Sequence, residues 1–213
     1  MKKLAVIGLT IFSMSYAVSA AIPIDGRRID WVGTSYGLYN FPTRPGEMAG
    51  YLKHTKYKEL TKLKPGTPEF DAKWLEIADK DPEGFSEDQR GYTERAYYDP
   101  AMAKLKSKGI DFSERGPAIQ DMVFSVAVQY GTSAYPISRA LRGKNINEMS
   151  DADIVTTVQE DKYTHRYRDF ASSLKKALPK GVIISRICAE ERDLLNLAGE
   201  IKRVSILCVK RKK

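Results

Sequence analysis

A chain of 213 residues, 42% hydrophobic and 29% charged, has the length of one domain with a sizeable core. Its formal charge of +8 is modest and interspersed, apart from the tail Lys210-Arg211-Lys212-Lys213. With no nucleic-acid motif, two histidines (His54 and His165) and two cysteines lacking CxxC or zinc-type spacing, nothing argues for nucleic acid, a metal or another cofactor.

The chain opens as an export signal. Lys2 and Lys3 give a positive start, Leu4 to Val18 is uncharged and mostly apolar, and Val18-Ser19-Ala20 offers small side chains for a signal peptidase. Cleavage after Ala20 leaves residues 21–213 as one domain carrying +6, in the periplasm or the secreted medium. A retained anchor needs about 20 apolar residues. Thr10, Ser13 and Ser15 interrupt this run, and no later segment is long and apolar enough for a stable membrane span.

Trp31, Tyr36, Tyr39 and Phe41, with Gly33 and Gly37 among them, predict irregular or hairpin structure. Helical signals dominate afterwards. Pro45 suits the first turn of a helix reaching about His54, and Thr67-Pro68-Glu69 starts another that ends before Asp81-Pro82. Ser86 with Gln89 has capping-box spacing and predicts a helix towards Tyr98; Pro100 to Lys108 is the next, stopped by Gly109. Between Pro117 and Tyr130, Ile119, Met122, Val123, Val126 and Tyr130 share one face, while Phe124 and Val128 carry apolar character around the cylinder. This predicts a central, buried helix. Helical patterns follow at Ser133–Arg142, from Asp151 behind a Ser150/Asp153 cap, at Lys162–Leu178 and at Ser185–Arg203. The fold class is mainly α: a single domain with a short irregular or β element near the mature N-terminus.

Cys188 and Cys208, an even pair in an exported chain, suggest a disulfide; two buried thiols are the alternative. Closing a loop of about 20 residues is worth on the order of 3 kcal/mol in the chain-entropy model. The basic tail follows the short apolar run Val204, Ile206, Leu207, Val209. It reads either as a solvated terminus or as an attraction for anionic wall or membrane polymers.

Two stretches could carry chemistry. Asp121, Ser125 and Gln129, at i, i+4 and i+8, form a polar stripe that either satisfies neighbouring groups or lines a cleft. In Asp30 to Asn40, glycines bracket a hydroxyl and an aromatic ring. Such a turn either sits over a core or offers a sugar its ring face and backbone N–H groups.

Gly33-Thr34-Ser35-Tyr36-Gly37-Leu38-Tyr39, followed by Thr43-Arg44-Pro45-Gly46-Glu47-Met48, resembles the opening of chitosanase-like lysozyme domains of phage tail and type VI secretion spike proteins. Those domains begin with a G-x-S-Y-G-x-Y-Q turn. Gln120 to Gly131 is similar to their helix Q-D-x-V-x-S-x-A-V-Q-x-G, and Arg186, Glu190, Glu191, Arg192 and Leu194 form a looser third match. The resemblance covers about residues 30–200. It implies a two-lobed lysozyme-like fold and hydrolysis of peptidoglycan β-1,4 bonds by two carboxyl groups, which stand about 6.5–9.5 Å apart in an inverting enzyme. On this resemblance Asp30 is catalytic, and Ser35, Tyr36, Tyr39, Asn40, Asp121, Ser125 and Gln129 contact the glycan.

The chain departs from that pattern at one telling place. The family's proton-donating Glu falls about 18 residues before the turn tyrosine, where this chain has Val18, and between Ala21 and Tyr36 the only acidic residues are Asp25 and Asp30. Asn40 stands where the family more often has Gln, and Glu47 aligns with a non-catalytic position. Losing the general acid costs a glycosidase about two to four orders of magnitude in rate. Either another carboxyl substitutes, Asp25 being the nearest, or the scaffold binds peptidoglycan or a protein partner without cleaving.

Overall fold

The computed structural model describes residues 32–43, 46–169 and 180–200. The segment read as a signal peptide, Asp30, Trp31, Arg44, Pro45, Cys208 and the basic tail lie outside the described residues. Strands β1 (Ser35–Tyr36) and β2 (Phe41–Pro42) pair antiparallel, Tyr36 opposite Phe41. Gly37 at φ 66° and Asn40 at φ 59° turn the chain between them. The rest is helical: α1 (Glu47–His54), α2 (Pro68–Lys80), α3 (Pro82–Thr93), α4 (Asp99–Lys106), α5 (Pro117–Tyr130), α6 (Tyr135–Ala140), α7 (Asp151–Asp169) and α8 (Lys180–Leu197). The fold is mainly α, with a small two-stranded sheet near the N-terminus.

Local chemistry sets most of these boundaries. Thr67 caps α2, its hydroxyl accepting from Phe70 N–H at 3.4 Å, with Pro68 in the first turn. Ser150 and Asp153 cap α7 reciprocally, Ser150 Oγ donating to Asp153 Oδ2 at 2.6 Å while accepting from Asp153 N–H at 3.1 Å. Helix α3 starts five residues earlier than the Ser86/Gln89 spacing predicts. Asp81 accepts from Gly84 N–H at 3.0 Å and Pro82 fits the first turn, so this stronger signal wins. Gln89 is instead wholly buried, and its Oε1 accepts from Leu38 N–H at 3.0 Å, pinning the hairpin loop to α3. The two helices expected from Asp151 and from Lys162 are one, because no glycine or proline interrupts the chain between them. Residues 170–178 of the latter lie outside the described residues.

Two hydrophobic cores organise the chain. The first is aromatic: Tyr36, Phe41, Tyr51, Phe70, Trp74 and Phe85 come from the hairpin and α1–α3, with Phe41 stacked on Tyr51 at 4.8 Å and Trp74 edge-on to Phe85 at 4.6 Å. The second is aliphatic and lies among α4–α8, around Leu105, Ile119, Val123, Val126, Ile154, Val158 and Leu194. Helix α5 serves both. Ile119, Met122, Val123 and Val126 face the second core, while Phe124 belongs to the first and Val128 packs against it. A π-helical turn at Glu94–Tyr98 joins α3 to α4, and its Tyr97 and Tyr98 pack against both cores. Extra-residue turns of this kind commonly mark functional sites. None of the helices among the described residues is long and apolar enough to cross a membrane.

Candidate functional site

The hairpin loop meets the central helix where the two cores join. Tyr39 packs edge-on to Phe124 with ring centroids 5.7 Å apart, and Tyr98 approaches the same ring at 6.1 Å. Asp121 lies one turn before Ser125 on α5 and is 3% exposed. No hydrogen bond among the described residues reaches its carboxyl. Burial pushes that carboxyl up to about 6, with the Arg90 charge pulling the other way. Arg90 itself holds Glu94 through Nε to Oε1 at 3.0 Å. Burial raises the Tyr39 phenol well above its usual range, opposed by Arg90 and reinforced by Glu94 and Asp121. Arg90, Glu94, Asp121 and Tyr39 therefore share one electrostatic neighbourhood at the seam.

The other loop residues play different parts. Tyr36 is fully buried, its ring against Phe70 (4.9 Å) and Trp74 (5.1 Å), so neither ring face is open to a sugar. Its hydroxyl donates to Asp71 in a short hydrogen bond and accepts from Gly66 N–H at 2.9 Å. Burial, then Asp71, push that phenol up to about 12. Ser35, 5% exposed, is the strand residue paired with Pro42. Asn40 is half-buried, and its Oδ1 is buried without a hydrogen-bond partner among the described residues. A buried acceptor left unpaired in a left-handed loop position is the kind of local cost that functional loops carry.

Farther along α5 the polar stripe turns into the second core. Gln129 Nε2 donates to Ser125 Oγ at 2.7 Å, Ser125 Oγ donates to Glu190 Oε1 at 3.0 Å, and Lys162 Nζ meets Glu190 Oε2 at 2.5 Å. Ser125 and Lys162 are fully buried and Glu190 is 2% exposed. Burial raises the Glu190 carboxyl, but Lys162 and then Arg186 outweigh it and hold it below the usual range. This part of the stripe ties α5, α7 and α8 together, while Asp121 at its other end faces the seam. Sequence reading placed Glu190 in a motif and missed Lys162. The available signal was that Lys162 continues the buried stripe Val155, Val158, Gln159 at helical spacing. Cys188 sits on α8, and its prospective partner Cys208 lies outside the described residues. No group of three or more His, Cys, Asp or Glu side chains among the described residues is arranged to hold a metal ion.

The hairpin, the seam and the Glu190 network lie within one matched stretch. Residues 15–190 fit the family model described as type VI secretion system spike protein VgrG3-like, C-terminal. The chain belongs to this family. It is also 36% identical, over 145 residues, to the type VI secretion system spike protein VgrG3 of Vibrio cholerae serotype O1 (strain ATCC 39315 / El Tor Inaba N16961). That alignment covers 68% of this chain and 14% of the relative, so the chain corresponds to a small part of that protein's length. The VgrG3-like match agrees with the spike-protein half of the resemblance read from the motifs. It begins at residue 15, inside the segment read as a signal peptide, and ends at Glu190.

Proposed function

We propose that this VgrG3-like chain is exported through residues 1–20 and acts on peptidoglycan glycan strands as a muramidase-like glycosidase. The observation that carries the reading is the meeting of the Tyr39 loop with α5 beside Asp121, which joins the two lysozyme-like motifs at the seam of two cores. Asp30, two residues before Val32, is the carboxylate of the resemblance. It takes a proton from water as the water oxygen attacks the anomeric carbon from the face opposite the leaving group. Asp121 replaces the missing glutamate as the acid: it is buried, free of hydrogen bonds among the described residues, and retains its proton to about pH 6. Its proton goes to the glycosidic oxygen as the C–O bond breaks. Tyr39 and Asn40 form the loop wall. Ser35 and Tyr36 hold that loop, and Ser125 and Gln129 fix α5 beneath the strand. A Cys188–Cys208 disulfide fastens the C-terminal segment to α8. The test is release of reducing ends from purified peptidoglycan by wild type, Asp30→Asn and Asp121→Asn.

One observation favours a second reading: the absence of any Glu between Ala21 and Tyr36. On that reading the seam holds glycan without cleaving it, or receives a protein partner of the secretion machinery named for the family. It gives pelleting with insoluble peptidoglycan and no reducing ends in the first case, and a protein complex without glycan binding in the second.

A further inference from the structure

A concave surface lies wholly within the α4–α8 half. Lys108, Ser138, Arg142 and Lys144 rim a cleft of about 370 Å³, floored by the buried Ile110, Leu141 and Ile146. Its rim side chains other than Ser138 are exposed cations, and among the described residues no carboxylate lies within ion-pair distance of any of them. Among the described residues Lys108 Nζ donates to Ser138 Oγ alone, at 3.2 Å. Asp111 and Glu148, the acidic residues closest in sequence to Ile110 and Ile146, are engaged elsewhere, with Lys106 at 2.8 Å and Asn145 at 2.7 Å. Gly109 and Gly143 add left-handed turns at the rim, with open space where a Cβ would stand. Three cations with no carboxylate partner among the described residues, over an apolar floor, suit a ligand that carries carboxylates and small apolar groups together. The volume exceeds what a lone inorganic anion fills and accommodates a short peptide.

We propose that this cleft takes the acidic peptide stems of peptidoglycan, their carboxylates on Lys108, Arg142 and Lys144 and their methyl groups on the Ile110/Leu141/Ile146 floor. The inference rests on the glycan reading and adds to it a contact with the cross-linking peptides. It makes binding depend on salt, since exposed ion pairs are screened over about 8 Å at physiological ionic strength.

The experiment is binding of the full chain, in the cold, to intact sacculi by co-sedimentation and to bead-immobilised glycan strands freed of their peptides by an amidase. Wild type is compared with the triple charge reversal Lys108→Glu, Arg142→Glu, Lys144→Glu and with the neutral Gln triple. All three side chains are exposed, and circular dichroism checks that each variant is folded. The expected result is binding to intact sacculi weakened about tenfold by the reversal, as three screened ion pairs would give. The Gln triple falls between, and the difference vanishes on stripped glycan. Equal binding by wild type and reversal variant on intact sacculi overturns the proposal, and so does equal loss on both polymers. If wild type binds stripped strands and gains nothing from the peptides, the cleft assignment fails alone. If it binds neither polymer, the glycan reading fails with it.

Discussion

Lys162 Nζ and Glu190 Oε2 meet at 2.5 Å inside the second core, neither side chain exposed beyond 1%. Ser125 occupies the other Glu190 oxygen, so one carboxylate links the central helix to both C-terminal helices. A buried pair of this kind is costly to form and more costly to half-remove.

Glu190→Gln leaves the Lys162 ammonium buried without a counter-charge and costs about 3–5 kcal/mol in urea unfolding. The double variant Lys162→Met/Glu190→Leu recovers most of that loss. Because the Glu190 carboxyl is held below its usual range, its contribution is present above the unfolded carboxylate pKa. It is lost as pH falls through the lower folded value. An unchanged urea midpoint in Glu190→Gln would contradict the coupling.

Asp121 has the opposite sign. Its folded pKa of about 6 lies above the ordinary 3.8, so its ionised form is the one that burial penalises. The group's stabilisation is fully present below about pH 4 and is lost as pH rises through about 6. Asp121→Asn therefore raises stability by about 1–2 kcal/mol at pH 8 and by little at pH 4, measured by denaturant titration at both values. The same variant lowers glycan hydrolysis by about two to four orders of magnitude. A variant equally active, or less stable at pH 8, removes Asp121 from the acid role.

Gly37 makes the hairpin loop possible. At φ 66° it occupies a region that side chains disfavour, and an added Cβ would collide with Gln89 Oε1 and stand 2.8 Å from Trp74 Cζ2. Gly37→Ala also displaces the Gln89 acceptor from Leu38 N–H. The expected cost is about 2–4 kcal/mol in thermal or urea unfolding, strain and a lost buried hydrogen bond combined. A loss below 0.5 kcal/mol, on the scale of an ordinary surface substitution (about ±0.5 kcal/mol), would mean the loop yields.

Much of this fold was legible because its signals are local. Thr67-Pro68 and Ser150/Asp153 state their helix starts in the side chains that cap them, and Pro117 and Gly131 frame α5 through the backbone conformations they favour. The hairpin was visible as glycines among aromatics. What escaped depended on partners distant in sequence. Ser86/Gln89 looked like a cap until Leu38, 51 residues away from Gln89, claimed the glutamine. Lys162 was read only as the start of a helix because the carboxylate that neutralises it lies 28 residues on. The polar stripe was recognised as a unit, yet only the structure divides it. Ser125 and Gln129 serve an internal network, and Asp121 faces the seam. Helical spacing specifies a face, but not which neighbour that face will meet.

The most direct measurement is the release of reducing ends from purified peptidoglycan by residues 21–213 and by their Asp30→Asn variant, followed from pH 4 to 8. Release by wild type is expected to decline as pH rises past about 6, when Asp121 loses its proton, and to drop by about two to four orders of magnitude on substituting Asp30. Binding to the polymer with no reducing ends at any pH, or hydrolysis undiminished in Asp30→Asn, would contradict it.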